Sequence, residues 1–305
     1  MAPWTTADIL ALNGRSFLVT GPGGLGFETA LALARAGGEI ILAGRDNAKG
    51  TAARDAIRTQ APKATVEFEV LDLASLSSIR ALADRLQNQR RHLDVLINNA
   101  GVMAPPTRRT TADGFELQFG TNHLGHFALT GLLLPLLKRS SSPRVVTVSS
   151  VAHWRSRIAF EDLQAERKYQ PWISYGQSKL ANLLFALELQ RRSSAAQWGI
   201  ASLAAHPGIS RTDLIANGMG RNSFAQRFSD RLGWPFFQSA AQGALPTLYA
   251  ATAADAKPGG YYGPDGFMEW RGSPAPARVA APARDETAAR RLWQTSEQLT
   301  GVLYG

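Results

Sequence analysis

The chain has no cysteine among its 305 residues. That excludes disulfides, thiolate nucleophiles and cysteine-bound zinc, and it suits a reducing compartment. No apolar run approaches the roughly 18 residues that cross a bilayer. The strongest, Leu132 to Leu137, is short and carries Pro135. The N-terminus lacks the basic start and apolar core of a secretory signal. Met1 to Asn13 reads as a short arm before the first strand. Together these absences predict a cytoplasmic protein without a membrane span. Acidic residues are the scarcer charge: 24 Asp and Glu stand against 33 Lys and Arg, a formal charge of +9. The basic residues are scattered in pairs such as Arg90-Arg91, Arg108-Arg109 and Arg191-Arg192, with no recognition motif or basic-aromatic stripe. No nucleic-acid partner is expected. An anionic ligand would profit from the same charge.

What remains is an ordinary globular composition, 45% apolar and 19% charged. Short apolar runs alternate with helical stretches. Strands are expected at Ser16 to Val19, Glu39 to Ala43, Thr65 to Val70, Leu93 to Ile97, Arg144 to Val148 and Ile200 to Ala205. Helices are expected at Leu25 to Ala36, Asn47 to Thr59, Leu76 to Gln89, Tyr175 to Arg191 and Glu286 to Leu299. A longer helix, about Ala112 to Lys138, is expected to bend or break near Pro135. The strands are near-continuous apolar runs, which predicts a parallel sheet buried on both faces. Strand and helix alternate throughout, which predicts a doubly wound α/β fold of three layers, αβα. No repeat or linker divides the chain, so residues 1–305 read as one domain. Residues 210–240, less periodic and carrying Trp234, Phe236 and Phe237, read as a substrate lid. Arg271 to Arg284 reads as irregular surface.

Thr20-Gly-Pro-Gly-Gly-Leu-Gly26 follows the first strand and opens the first helix. Gly21, Gly23 and Gly26 fit G-x-G-x-x-G, where glycines let the backbone approach a pyrophosphate set on the helix N-terminus. Strand before and helix after is the context that gives the motif weight. Arg45 ends the second strand, where a basic residue suits the 2′-phosphate of NADP and an acidic one the free hydroxyl of NAD. Asp46 is the counter-signal, but it reads better as a helix N-cap. NADP(H) is therefore expected over NAD(H). Tyr175 and Lys179 stand four apart in one helix, on one face. A cation beside a phenol is expected to lower its pKa from about 10 towards a usable range.

These pieces, in order, resemble the short-chain dehydrogenase/reductases, and more closely their retinol-dehydrogenase-like branch. The matching motifs are the glycine loop, Leu71-Asp-Leu73, Asn98-Asn-Ala-Gly101, Asn122-His-Leu-Gly-His-Phe127, Val148-Ser-Ser150, Tyr175-Gly-Gln-Ser-Lys179 and His206-Pro-Gly208 with Thr212 beyond. Gly260-Tyr-Tyr-Gly-Pro-Asp265 and Leu292-Trp293 extend the likeness over nearly the whole chain. The resemblance implies a Rossmann fold and a carbonyl/alcohol oxidoreductase. It implies a catalytic tetrad of Asn122, Ser150, Tyr175 and Lys179, with the family's second serine aligning on Ser150 rather than Ser149. It implies a cofactor site of Gly21, Gly23, Gly24, Leu25, Gly26, Arg45, Asp72, Leu73, Asn99, Ala100, Gly101, Tyr175, Lys179, Pro207, Gly208 and Thr212. Asp72 would contact the adenine; Asn98 and Gly101 would shape the sheet edge; Pro207, Gly208 and Thr212 would hold the nicotinamide end. Two departures stand out. The glycine loop is one residue shorter than the family's usual T-G-x-x-x-G-x-G. Ser150 and Tyr175 are 25 positions apart (175 − 150), long for the wider family but fitting the branch.

The resemblance further implies that Tyr175 acts as general acid in reduction and as base in oxidation. Ser150 would steady the substrate oxygen, Lys179 would bind the nicotinamide ribose and tune Tyr175, and Asn122 would position a water. Trp154, Trp172 and Trp234 are candidate substrate contacts and favour a lipophilic or aromatic substrate. The alternative is a catalytically inactive dinucleotide-binding regulator, disfavoured by the complete tetrad. A hydrolase using Ser150 with His153 or His206 lacks the G-x-S-x-G elbow. His123-x-x-His126 lacks a nearby acidic third ligand, so no metal is expected. The Tyr175 helix continues as Leu180 to Leu189, apolar around much of its circumference. One face must cover the sheet and another is free for a second subunit, so a homodimer or homotetramer is expected.

Overall fold

The computed structural model describes residues 3–209 and 238–305. The expected lid, with Thr212, Trp234, Phe236 and Phe237, lies almost wholly outside the described residues.

Among the described residues, eight strands form one sheet: β1 (Ser16–Thr20), β2 (Glu39–Gly44), β3 (Val66–Val70), β4 (Val95–Asn98), β5 (Arg144–Val148), β6 (Ala201–Ala205), β7 (Tyr261–Pro264) and β8 (Pro274–Pro276). Their spatial order is β3-β2-β1-β4-β5-β6-β7-β8. Every pair through β7 is parallel, and only β8 runs antiparallel, against β7. The chain builds outward from β1 to β3, then returns to the other side of β1 with β4. That reversal opens a crevice at the strands' C-terminal ends, where doubly wound sheets bind ligands.

The helices follow from local chemistry. α1 (Leu25–Arg35) starts at the glycine loop. Asp46 caps α2 (Asn47–Gln60) by accepting from the Lys49 N–H at 3.0 Å, the role expected of it. Ser75 caps α3 (Leu76–Gln89) in the same way. α4 (Gly125–Leu137) continues a short helical turn, Leu117–Phe119, through a π-helical segment, Gly120–Leu124. α5 (Pro171–Ala195) starts on Pro171, whose missing N–H would have had no helical partner. α6 (Ala240–Thr252) opens with a Ser239/Gln242 capping box. α7 (Glu286–Thr300) is capped by Asp285 and ends on left-handed Gly301.

Two expectations about the fourth helix change. Residues 112–116 are not helical: Thr110 and Glu116 form a β-bridge, and the Glu116 carboxylate then caps the turn through the Gln118 and Phe119 N–H groups. Pro135 does not interrupt the helix, which runs past it to Leu137. The irregularity sits instead in the π segment that carries Asn122. Such segments concentrate at functional sites because the extra residue redirects side chains.

One core cluster joins α1 and α6 to one sheet face, with Leu33, Ile40, Val146, Leu203 and Leu248 all buried. A second joins α3, α4 and α5 to the opposite face through Leu18, Leu82, Leu129 and Phe185. The outward face of α5 is not free. Trp293 of α7 is 2% exposed and stacks on Phe185 at 5.7 Å between ring centroids, and Phe127 meets it at 5.1 Å. The apolar circumference that suggested a second subunit is covered by the chain's own last helix. Among the described residues no helix is long and apolar enough to cross a membrane.

Candidate active site

The glycine loop is folded tightly against its neighbours. Gly21 (φ 84°) and Gly24 (φ 51°) occupy backbone that side chains rarely adopt. The Gly21 N–H donates to the Ala43 carbonyl at 2.8 Å, tying the loop to β2. A methyl group on Gly26 would overlap the Gly21 carbonyl oxygen and come within 2.7 Å of the Asn99 amide. One on Gly44 would strike Pro22 at 2.6 Å, so exposed Arg45 begins beside the loop. The loop therefore leaves backbone and a helix N-terminus facing the crevice, an arrangement that fits a diphosphate. Asp72 is half-buried and turns the chain after β3, its carboxylate accepting from the Ala74 N–H at 2.9 Å. Leu73 is buried.

Beyond β4, Asn99 donates its amide to the Thr20 carbonyl at 2.8 Å. The Asn99 and Ala100 N–H groups both donate to the Thr20 hydroxyl, at 2.9 and 3.0 Å. That hydroxyl donates in turn to His126 Nε2 at 2.9 Å, and His126 Nδ1–H donates to the Asn122 carbonyl at 2.9 Å. His126 thus links the glycine loop, the 98–101 segment and the π segment. Burial first, then the Lys179 charge, lowers it to about 4, so it stays neutral as this chain of bonds requires. His123 is also buried and bonds Ser296 at 2.9 Å. The two histidines serve different partners, and no metal-holding cluster occurs among the described residues.

Asn122, Ser150, Tyr175 and Lys179 converge on this crevice. The Asn122 amide accepts from the Val102 N–H at 2.8 Å and donates to the Val102 carbonyl and the Ser178 hydroxyl, both at 2.9 Å. Ser178 donates to the Tyr175 carbonyl at 2.8 Å, so Asn122 braces the α5 turn that carries Tyr175 and Lys179. A methyl group on Gly101 would sit 3.1 Å from Asn122 Oδ1 and 3.7 Å from Lys179 Nζ, which places these groups around one backbone. The two adjacent serines separate cleanly. Ser149 is buried and donates to the Lys179 carbonyl at 2.7 Å. Ser150 is half-buried at the crevice, and its side chain favours the ionised Tyr175 phenol. Accordingly, Ser149→Ala is expected to cost about 1 kcal/mol of stability and spare turnover. Ser150→Ala is expected to lower turnover roughly ten- to hundredfold, the worth of a hydrogen bond to developing charge, and to cost about 1 kcal/mol as well, because its hydroxyl accepts from the Ala152 N–H. Thermal melts and steady-state rates on both variants check this.

The charges depart from expectation. Lys179 Nζ lies 5.8 Å from the Tyr175 ring centroid and donates to the Val148 carbonyl at 3.1 Å. Burial dominates both groups: it pushes Tyr175 up to about 12, against the Ser150 side chain, and brings Lys179 down to about 8. Ser150, not Lys179, is the group that pulls the phenol downward here. Low dielectric penalises either charged form more than a cation at this distance repays.

Of the candidate substrate residues, Trp172 is 55% exposed and meets Tyr175 edge-on at 6.0 Å, so it borders the crevice. Trp154 packs near His153, with the Arg278 guanidinium 5.6 Å from its ring. Pro207 and Gly208 (φ 63°) follow β6 at the same sheet edge. Three neighbours have roles that the sequence did not suggest: His126 and His153, considered there only as a metal ligand and a hydrolase base, and Glu269. His153 Nδ1–H donates to the Ser150 carbonyl at 2.7 Å, and Glu269 accepts from His206 at 2.8 Å. The family motifs contain His126 and His206 but give no reason for them, and Glu269 is marked by nothing in the sequence.

The fold and this crevice define the class. The short chain dehydrogenase family matches residues 15–220, and the chain belongs to that family. It is an oxidoreductase enzyme. Mouse (Mus musculus) retinol dehydrogenase 12 is 43% identical over 293 residues, 95% of this chain and 88% of that protein. Human (Homo sapiens) retinol dehydrogenase 13 is 44% identical over 297 residues, 95% of this chain and 86% of that protein. A crystal structure from Mycobacterium paratuberculosis is 45% identical, covers 100% of both chains and superposes with a TM-score of 0.83. A short chain dehydrogenase from Shigella flexneri solved with NADP is alike in fold, with a TM-score of 0.65 at 24% identity over 82% of this chain and 97% of that one.

Proposed function

We propose that the chain is an NADP(H)-dependent oxidoreductase that interconverts a carbonyl and an alcohol on a lipophilic or aromatic substrate. The observation that carries it is the meeting of Ser150, Tyr175 and Lys179 at the sheet edge beside the glycine loop. Bound NADP(H) supplies the hydride chemistry. Gly21 to Gly26 hold its diphosphate, Arg45 its 2′-phosphate, Asp72 and Leu73 its adenine, and Pro207 and Gly208 its nicotinamide end. Tyr175, protonated at neutral pH, gives its proton to the substrate oxygen as general acid. Ser150 donates a hydrogen bond to the same oxygen and steadies the charge that develops there. Lys179 keeps a cation beneath the site and holds the ribose. Asn122 acts by bracing α5 through Ser178, since its amide is already committed to Val102 and Ser178. Trp172 borders the substrate, and the retinol dehydrogenases among its relatives act, by name, on a lipophilic alcohol.

The test is a panel of carbonyls and alcohols followed through cofactor absorbance, with both cofactors. Apolar aldehydes or ketones should outrun small charged ketones, and NADPH should outperform NADH. Arg45→Asp is expected to raise the KM for NADPH roughly ten- to hundredfold, because a charge-assisted contact is replaced by repulsion. The same variant should retain or gain NADH activity. Equal use of the two cofactors by the parent enzyme would remove the assignment of Arg45.

A further inference from the structure

His206 Nδ1 accepts from the Gly208 N–H at 3.2 Å, so its hydrogen lies on Nε2. That Nε2–H donates to Glu269 Oε2 at 2.8 Å. The other oxygen, Oε1, accepts from the Arg278 N–H at 2.7 Å. Every bond in this series has one direction. His206 is wholly buried and lies directly over the backbone of Gly263, where a methyl group would overlap its ring. The adjoining Ile209 N–H donates to the Trp270 carbonyl at 2.8 Å. Gly208 leaves no room for a side chain against that same carbonyl. The segment 206–209 is thus gripped by the turn Gly266 to Trp270.

That turn is strained. Met268 (φ 49°) and Glu269 (φ 55°) are consecutive non-glycine residues in left-handed backbone. Such strain persists only where surrounding contacts impose it, and it gathers at functional sites. Burial of apolar groups does not repay it, because Phe267 is 77% and Met268 47% exposed. What the turn delivers inward is one carboxylate and one carbonyl, both to the 206–209 segment. Burial raises the Glu269 carboxyl, but hydrogen bonds from His206 and the Arg278 N–H outweigh it and keep the group ionised at neutral pH.

We infer that Glu269 is a positioning residue for the nicotinamide end of the cofactor site: acting through His206, it fixes Pro207 and Gly208. The inference rests on the proposed cofactor site. Adenosine and diphosphate contacts lie at the other end of the crevice, so Glu269 governs alignment of the reacting ring more than overall affinity. Misplacement on the ångström scale costs rate steeply.

Glu269→Gln keeps the size and removes one polarity. A carboxamide presents an N–H either to His206 Nε2–H or to the Arg278 N–H, and two donors then face each other. The histidine cannot relieve this by moving its hydrogen, because Nδ1 must accept from Gly208. His206→Asn keeps an acceptor near the Gly208 N–H but no longer reaches Glu269. Both variants and the double variant are to be compared with the parent enzyme for kcat, KM, and affinity for NADPH and for adenosine 2′,5′-bisphosphate, the cofactor without its nicotinamide half. Each single variant is expected to lose about tenfold or more in kcat and in the affinity that NADPH gains over the bisphosphate. Bisphosphate affinity should hold within about twofold, and the double variant should be no worse than either single one. Parent-like kcat and NADPH affinity in Glu269→Gln overturns the inference. So does an equal loss of bisphosphate affinity, which marks general loosening. Failure of the parent enzyme to bind NADPH is a different result and removes the proposed cofactor site itself.

Discussion

Tyr175→Phe is expected to lower carbonyl reduction by about 10²- to 10⁴-fold, the usual worth of a positioned general acid, while NADPH affinity stays near the parent value. The phenol hydroxyl is the group removed, and Ser150 is the side chain that favours its ionised form. The ring keeps its edge-on neighbour Trp172 and its buried seat on α5, so the melting temperature should change little. Burial holds the phenol up at about 12, so it enters the reaction as an acid. Lys179 comes down to about 8 by burial. Its charge is therefore present below that pH and lost above it, so the reduction rate should fall as pH rises through this range. The Phe variant's residual rate should lack a Tyr175-dependent component. Stopped-flow single turnovers separate the chemical step from cofactor exchange. A Phe variant with parent-like single-turnover rates would remove Tyr175 from the mechanism.

The parts of the fold legible in the sequence are those whose signal is local. Ile40 to Leu42 and Val145 to Val146 are buried on both faces, and their unbroken apolar runs say so. Asp46 declared itself as a cap by standing just before α2. β7 and β8 gave no such signal. Tyr261–Pro264 and Pro274–Pro276 are four and three residues rich in Tyr, Pro and Gly, and only neighbouring strands make them a sheet edge. The π segment was hidden because Gly120 to Leu124 carries ordinary helical periodicity. The expected break at Pro135 did not occur: the proline forgoes one backbone bond, yet the helix continues past it to Leu137.

The candidate site divides the same way. Glycines, the Tyr/Lys spacing and Ser150 belong to short motifs and could be found along the chain. Electrostatics could not. A pair at helical spacing suggests mutual tuning, but Lys179 points its ammonium at Val148, and burial of both groups outweighs their attraction. Glu269 lies 63 positions from His206 (269 − 206) and became visible only when β7 placed it against that ring. The family match spans residues 15–220, so Glu269 also lies beyond the segment that the match describes.

Gly26→Ala is expected to weaken NADP(H) binding by about 10²- to 10⁴-fold, the loss of roughly two charge-assisted hydrogen bonds to a diphosphate. The short loop makes this position less forgiving. The added methyl group meets the Gly21 carbonyl, which is backbone, and it also meets the Asn99 amide, itself bonded to the Thr20 carbonyl at 2.8 Å. Gly21 cannot retreat freely, because its N–H is tied to Ala43 and a methyl group on Gly21 itself would already lie 3.2 Å from Ala100. The loop can relieve the overlap only by moving away from the 98–101 segment, which misaims the N–H groups at the start of α1. The displacement would travel through Thr20 and His126 to the Asn122 carbonyl, so turnover at saturating cofactor should also fall, though less than affinity. Titration of the cofactor against protein fluorescence measures the first effect and saturated steady-state rates the second. Retained affinity would mean that the diphosphate does not rest on this loop.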